Sequence, residues 1–290
     1  MSALLEKTIQ MIQLTSFEFK KLFLQKRFHS GISIILIMTM FSAIAVCMRV
    51  NSEISRKAEM IATILQKYVN GINFSMLVLL SSILIILPMI VGIFAVCSFA
   101  GEYQFGQIRT MALRPVSRFS IFFAKFLSLS IFSGILLIIL MIISYTAGAF
   151  LFGWSGDIYV TDPGVFGKRV KDFFMDEHVA WIRFFLLYLF ALFSLMSFVA
   201  LFLMCSAVFK KTATAIVVPL GIYFTCYVIG FMPLMEKLRP FLPTRYIFVF
   251  KHFLTPQVDW SGLCSDCVVL VLFTAAYILI GSIFFSISDL

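Results

Sequence analysis

The sequence predicts an all-α integral membrane protein with six transmembrane helices. Three observations carry that prediction. Apolar residues make up 61% of the 290 residues and charged residues only 13%, against about 45–50% and about 25% in soluble domains. The mean hydropathy is +1.04, which excludes a disordered chain, because disorder needs low hydrophobicity and dense charge. The apolar residues also fall in continuous runs and not in the ~10-residue alternating segments of a transmembrane β-barrel.

A helix needs about 20 mostly apolar residues to cross the hydrocarbon layer. Six runs qualify: 31–48, 74–99, 121–150, 184–209, 213–233 and 267–287. Lys125, near the start of the third, is the one ionisable residue inside them, and its long stem is expected to carry the ammonium to the interface. Lys26 and Arg27 precede the first run and Ala43-Ile44-Ala45 imitates a cleavage site. The run is nevertheless long enough to span, and it is read as a retained helix. We treat residues 1–290 as a single transmembrane domain.

Residues 1–29 form a lead-in to the first span. Leu5, Ile9, Ile12, Phe19 and Phe23 recur at helical spacing, with Glu6, Gln10, Gln13 and Lys20 on other faces, the pattern of an amphipathic helix lying in the membrane interface. Between the first two spans, Ile54, Ala58, Ile61, Leu65 and Tyr68 make a second stripe, read as packing or lipid contact. Pro88 and Pro219 are expected to kink the second and fifth spans.

Residues 100–118 hold more chemistry than a simple turn between two spans requires. Gly106 allows a tight turn after the second span. Residues 107–114 suffice for about two helical turns before Pro115 ends them. Ser117 is placed to cap the third span. Glu102, Arg109, Arg114 and Arg118 flank this short helix, and Phe105, Ile108, Met111 and Leu113 supply apolar anchors, a combination suited to docking a partner.

Residues 151–182 read as an external loop. Residues 234–263 read as an external or re-entrant segment, because Pro233, Pro240 and Pro243 break any helix while Phe231, Leu234, Leu238, Phe241, Leu242 and Ile247 keep the stretch apolar. Broken backbone at membrane depth needs protein or water to satisfy it. Cys264 and Cys267 have the spacing of a redox or half-zinc pair; packing is the simpler reading, and a disulfide is left open. The six phenylalanines 184, 185, 190, 193, 198 and 202 on the fourth span fit a substrate path or plain bulk equally well.

The net charge of +9 suggests loops facing anionic lipid, with no nucleic-acid partner. With the N-terminus inside, Lys+Arg divide 11 inside and 12 outside, while the acids divide four and ten. Lys20, Lys21, Lys26 and Arg27 before the first span place both termini in the cytoplasm, with the protein in the cell membrane.

The stretch Gly101-Glu102-Tyr103-Gln104-Phe105-Gly106-Gln107-Ile108-Arg109, followed by Leu113-Arg114-Pro115-Val116-Ser117-Arg118, resembles the signature of permease subunits of ABC exporters of the type-2 family. Gln107 stands where many relatives have Thr. The resemblance implies that the hairpin between spans two and three carries a coupling helix seated on an ATPase, with Glu102, Phe105, Gly106, Gln107, Ile108, Arg109, Met111, Leu113, Arg114, Pro115, Ser117 and Arg118 as the coupling residues. It also implies short re-entrant helices before the last span and a working unit of two permeases and two ATPases, with a second permease identical or related.

The sequence has no Gly-x-x-x-x-Gly-Lys-(Ser/Thr) and no His-Glu-x-x-His. The expectation is a non-catalytic chain without a cofactor of its own, with ATP and Mg on the partner ATPase. Sparse charge in the spans favours export of an amphipathic or hydrophobic cargo, such as an antimicrobial peptide, a lipid-like compound or a drug. The alternative is a non-transport membrane immunity or sensor protein whose hairpin docks a cytoplasmic partner.

Overall fold

The structure is a computed structural model that describes residues 2–24, 26–56, 70–106, 117–154, 158–160, 173–231, 237 and 239–287. Among the described residues, which are almost wholly helical, six helices are long and apolar enough to cross a membrane, as in a multi-pass membrane protein. Helix α1 (Ser2–Leu24) leads into α2 (Lys26–Arg56), which holds the first span. The second span is a broken rod of α3 (Gly71–Leu84) and α4 (Ile86–Val96), prolonged through Cys97–Gly101 to Gln104. The third and fourth spans are α5 (Arg118–Phe152) and α6 (Glu177–Val208), and the fifth is α7 (Thr212–Phe231). A short helix α8 (Pro243–Ile247) and a 3₁₀ turn (Val249–Leu254) precede α9 (Trp260–Ile287), the sixth span.

The second, third and fourth spans make the core. In their most apolar windows 72%, 50% and 67% of residues are buried, against 22%, 17% and 28% for the first, fifth and sixth. The outer three therefore turn most of their apolar surface outward. On the fourth span the phenylalanines divide accordingly: Phe184, Phe198 and Phe202 are core, and Phe185 and Phe193 are exposed. The close approach of α3 to α5 depends on Gly148, where a Cβ would lie 2.8 Å from the Phe74 ring and 3.0 Å from the Gly71 Cα. Near that crossing, Ser75, Ser144 and Tyr188 hydrogen-bond one another across three spans.

Pro88 does more than bend the second span. It has no N–H to give the Leu84 carbonyl, the chain breaks at Ile85 (φ −133°, ψ −53°), and the freed oxygen accepts a hydrogen bond from the Tyr223 hydroxyl of α7 at 3.0 Å. Pro219, in contrast, sits inside a continuous α7. Pro243 occupies the first turn of α8, where a missing N–H costs nothing. A two-stranded antiparallel hairpin, β1 (Ile158–Val160) with β2 (Phe173–Met175), lies in the loop between the third and fourth spans, which the sequence reading left without regular structure.

On α1, Ile12 is 64% exposed, whereas Thr15, Glu18 and Leu22 are buried and Phe23 packs against Phe132 of α5. One expectation needs correction. Lys125 does not reach the interface but is 1% exposed, because two carboxylates meet it inside the bundle. Cys264 and Cys267 are free thiols near the start of α9.

Candidate functional site

The lower end of the second span is built around one inserted hydroxyl. The Ser206 side chain of α6 accepts from the Ala100 N–H at 2.9 Å and donates to the Val96 carbonyl at 3.1 Å. In a regular helix those two groups would bond each other. A hydroxyl in the ladder widens it, and Cys97–Gly101 is a π turn. Just beyond, the Glu102 N–H bonds to the Phe99 carbonyl, which leaves the Ser98 carbonyl open to a different donor.

That donor is Lys125. Its Nζ lies 2.9 Å from the Ser98 oxygen, 2.9 Å from each oxygen of Glu102 and 3.2 Å from Glu18 Oε2. The Phe99 ring sits 5.3 Å from the same ammonium. Lys21, half-buried on α1, makes a second ion pair with Glu102. Two carboxylates and two ammoniums thus form a neutral cluster joining α1, the base of the second span and the root of the third. Glu18 is its least satisfied member: Oε1 is buried with no hydrogen-bond partner among the described residues. Glu102 therefore belongs to the interior of the span and not to the surface of the hairpin.

The flanks of residues 107–116 are well defined. Gly106 has φ +70° and closes the turn onto the Tyr103 carbonyl at 3.2 Å, as its residue type predicts. Phe105 is 77% exposed beside it. On the far side Ser117 caps α5 by accepting from the Ser120 N–H at 3.2 Å, also as predicted. Arg118 donates to the Ser286 carbonyl at 2.7 Å, placing its charge on the C-terminal end of α9. Gln104 accepts from Thr212 at the start of α7, and Lys210 lies over the Tyr103 ring at 5.3 Å. Gln107, Ile108, Arg109, Met111, Leu113, Arg114 and Pro115 lie outside the described residues.

The structure thus brings Glu102 together with Glu18, Lys21 and Lys125, three residues absent from the sequence-derived set, and sends Arg118 to the last span. One signal for the omission was present: a lone lysine in 30 otherwise unionised span residues marks a functional position by default.

The fold and the cluster first define a class: a six-span helical membrane protein in which one ion-paired knot anchors both arms of the hairpin between spans two and three. Within that class, the chain belongs to the family described as "Protein of unknown function (DUF2705)", which matches residues 35–288. A 70-residue stretch is 36% identical to "Uncharacterized protein YhcI" of Bacillus subtilis (strain 168), covering 23% of this chain and 22% of that protein. The match therefore spans about a fifth of that relative's length.

Proposed function

We propose that the chain is the permease subunit of an ATP-driven exporter of the type-2 ABC family, with both termini in the cytoplasm and ATP and Mg held by a partner ATPase. The observation that carries this reading is the Glu18–Lys21–Glu102–Lys125 cluster at the root of the hairpin. A hairpin that docks a motor must pass force to the spans without unravelling at its base. Charge-assisted bonds from Lys125 to Glu102 and to the Ser98 carbonyl fix that base, and α1 is tied to the same point through Glu18 and Lys21. Phe105 stands exposed at the entrance as an apolar anchor.

The mechanism is indirect. Closure of two ATPase subunits moves the hairpins at residues 107–114, and the anchored second and third spans carry the movement into the bundle. The outward apolar surface of the first and fifth spans suits a second permease, identical or related, and lipid. Neutral pairing at the cluster leaves the span interiors without net charge, in keeping with an amphipathic or hydrophobic cargo.

The test is purification of a tagged chain from its native host, with Arg109→Glu/Arg114→Glu in parallel, and identification of any Walker-type ATPase that is retained. The expected result is capture of the ATPase by the unaltered chain and loss of both capture and cargo resistance in the variant. If no ATPase is retained and the variant still confers resistance, the reading fails and a non-transport docking role replaces it.

A further inference from the structure

The segment before the sixth span is folded back toward the middle of the bundle, and two anchors on α6 measure how far. Arg183, immediately before the apolar run 184–209, donates to the Phe253, Thr255 and Pro256 carbonyls. Ser194 donates to the Ile247 carbonyl. Those two side chains are 11 residues apart on one helix, about 16 Å at 1.5 Å per residue. The short helix α8 therefore lies well below the level at which α6 enters the apolar layer. Its neighbours agree: Tyr246 packs on Phe273, in the middle of α9, at 6.3 Å, and Pro243, Thr244 and Ile247 line a crevice with Ser197, Leu201 and Tyr223.

At that depth the segment turns one side to the bundle and the other away from it. Thr244, Tyr246 and Ile247 are buried, whereas Arg245 is exposed and Phe241 is 76% exposed. The Arg245 guanidinium lies 5.7 Å from the Tyr246 ring. Nearer the start of α9, Lys251 is half-exposed and His252 Nε2 lies 3.0 Å from Asp266 Oδ2. Arg245, Lys251 and Asp266 are close enough to act on one another's charge. Ionisable side chains thus descend in series from the start of α9 toward the bundle centre.

Hydrocarbon does not accept this arrangement. A guanidinium is always charged and bristles with N–H donors, which lipid tails cannot satisfy whether or not one of them is paired. Snorkelling carries such a head only along its own stem, which is far shorter than the drop from Arg183 to Ser194. Ionisable groups at membrane depth face protein or a water-filled cavity, and broken backbone there meets the same condition. The described part of the chain leaves Arg245 uncovered, and a second copy about a twofold axis would bring Arg245 and Lys251 toward their own counterparts. We propose that the outward side of residues 241–251 lines an aqueous vestibule, entered from the end of the bundle where α6 begins, with Arg245 at its floor. Water at that depth leaves about half of the ~30 Å hydrocarbon layer beneath it. The proposal does not rest on the exporter reading.

Thiol accessibility tests it. Arg245→Cys, Phe241→Cys and Ile138→Cys chains are each placed in nanodiscs, which open both membrane faces to reagent, and treated with a sulfonated maleimide that does not enter hydrocarbon. Modification is timed by mass spectrometry on the peptide carrying each position, so the native thiols stay in place. Cys264, exposed near the start of α9, marks full access. Ile138 is 53% exposed on the outside of α5, 14 residues before its end, about 21 Å along the helix. R245C should react at least about tenfold faster than I138C, because a thiol in apolar surroundings is inert as well as out of reach. F241C keeps the guanidinium, should share the fast rate, and decides the matter if R245C does not fold. A slow rate at 245 in a folded chain, or at 241, overturns the vestibule, whether lipid or a second copy of the chain covers the face. A rate at 138 equal to theirs overturns it too.

Discussion

Replacing Lys125 by Met keeps most of the stem volume and removes the charge, so it isolates what the ammonium does. Lys125, Glu102 and Glu18 are 1%, 3% and 3% exposed, and Nζ meets three carboxylate oxygens and one carbonyl within 3.2 Å. Loss of one partner from a buried ion pair costs about 3–5 kcal/mol, because the charge left behind is uncompensated. Here Glu102 keeps Lys21 and Glu18 keeps nothing among the described residues, which puts K125M within that range. At about 2–4 °C per kcal/mol for a chain of this class, Tm falls by roughly 10 °C. The geometry also ranks the partners. E102Q costs less, since Lys125 retains Glu18 and Ser98. E18Q costs least, since Glu18 contributes one contact at 3.2 Å and an oxygen without a donor. The assay is thermal unfolding in detergent followed by circular dichroism, with the K125M/E102Q double variant completing a cycle whose coupling energy should reach about 1–3 kcal/mol. A K125M Tm within about 2 °C of the unaltered chain, or E18Q costing more than K125M, would refute the assignment of the ammonium as the centre of the cluster.

Further outcomes follow from single contacts. Tyr223→Phe removes the donor to the Leu84 carbonyl and should cost about 1–3 kcal/mol. Adding Pro88→Ala restores a helical N–H to that carbonyl and should recover most of the loss in the same melting assay. Gly148→Ala forces a Cβ within 3.0 Å of Phe74 and Gly71 and should destabilise by about 1–3 kcal/mol, whereas Gly221→Ala, with nothing within 4 Å, should be stable. Arg183→Gln loses the donors to three carbonyls, so amide exchange over residues 253–258 should accelerate while that of α5 does not. Gly106→Ala, at φ +70°, should cost about 1 kcal/mol, a fall of about 2–4 °C in Tm, and its larger effect should appear in capture of the proposed ATPase partner.

Local features were legible in the sequence because local chemistry decides them. Ser117 caps α5 and Gly106 turns with positive φ since a hydroxyl acceptor and a missing Cβ are the cheapest solutions at those two points. The six apolar runs were equally plain, because the hydrocarbon thickness sets their length. Pro88 announced a break, yet the hydroxyl that catches its orphaned carbonyl comes from Tyr223, on another helix, and no periodicity connects the two. The π turn at Cys97–Gly101 was illegible for the same reason: its cause is Ser206 of the fourth span.

The charge cluster escaped a reading that treated each charge by its position along the chain. Glu102 looked like hairpin and Lys125 like a snorkelling stem, since each was weighed against water or lipid, and Glu18 was counted only as one charge on its side of the membrane. In the structure each is weighed against the others. A buried charge costs several kcal/mol alone and little when paired and hydrogen-bonded. The permitted arrangement is therefore the one in which the three segments meet. That dependence makes the knot a conditional joint. Helix α1 gains nothing from burying Glu18 unless the second and third spans present Lys125. The spans, in turn, cannot bury Lys125 and Glu102 apart. The hairpin between them consequently has its two arms fastened at one point, where a force on residues 107–116 reaches both spans and α1 together.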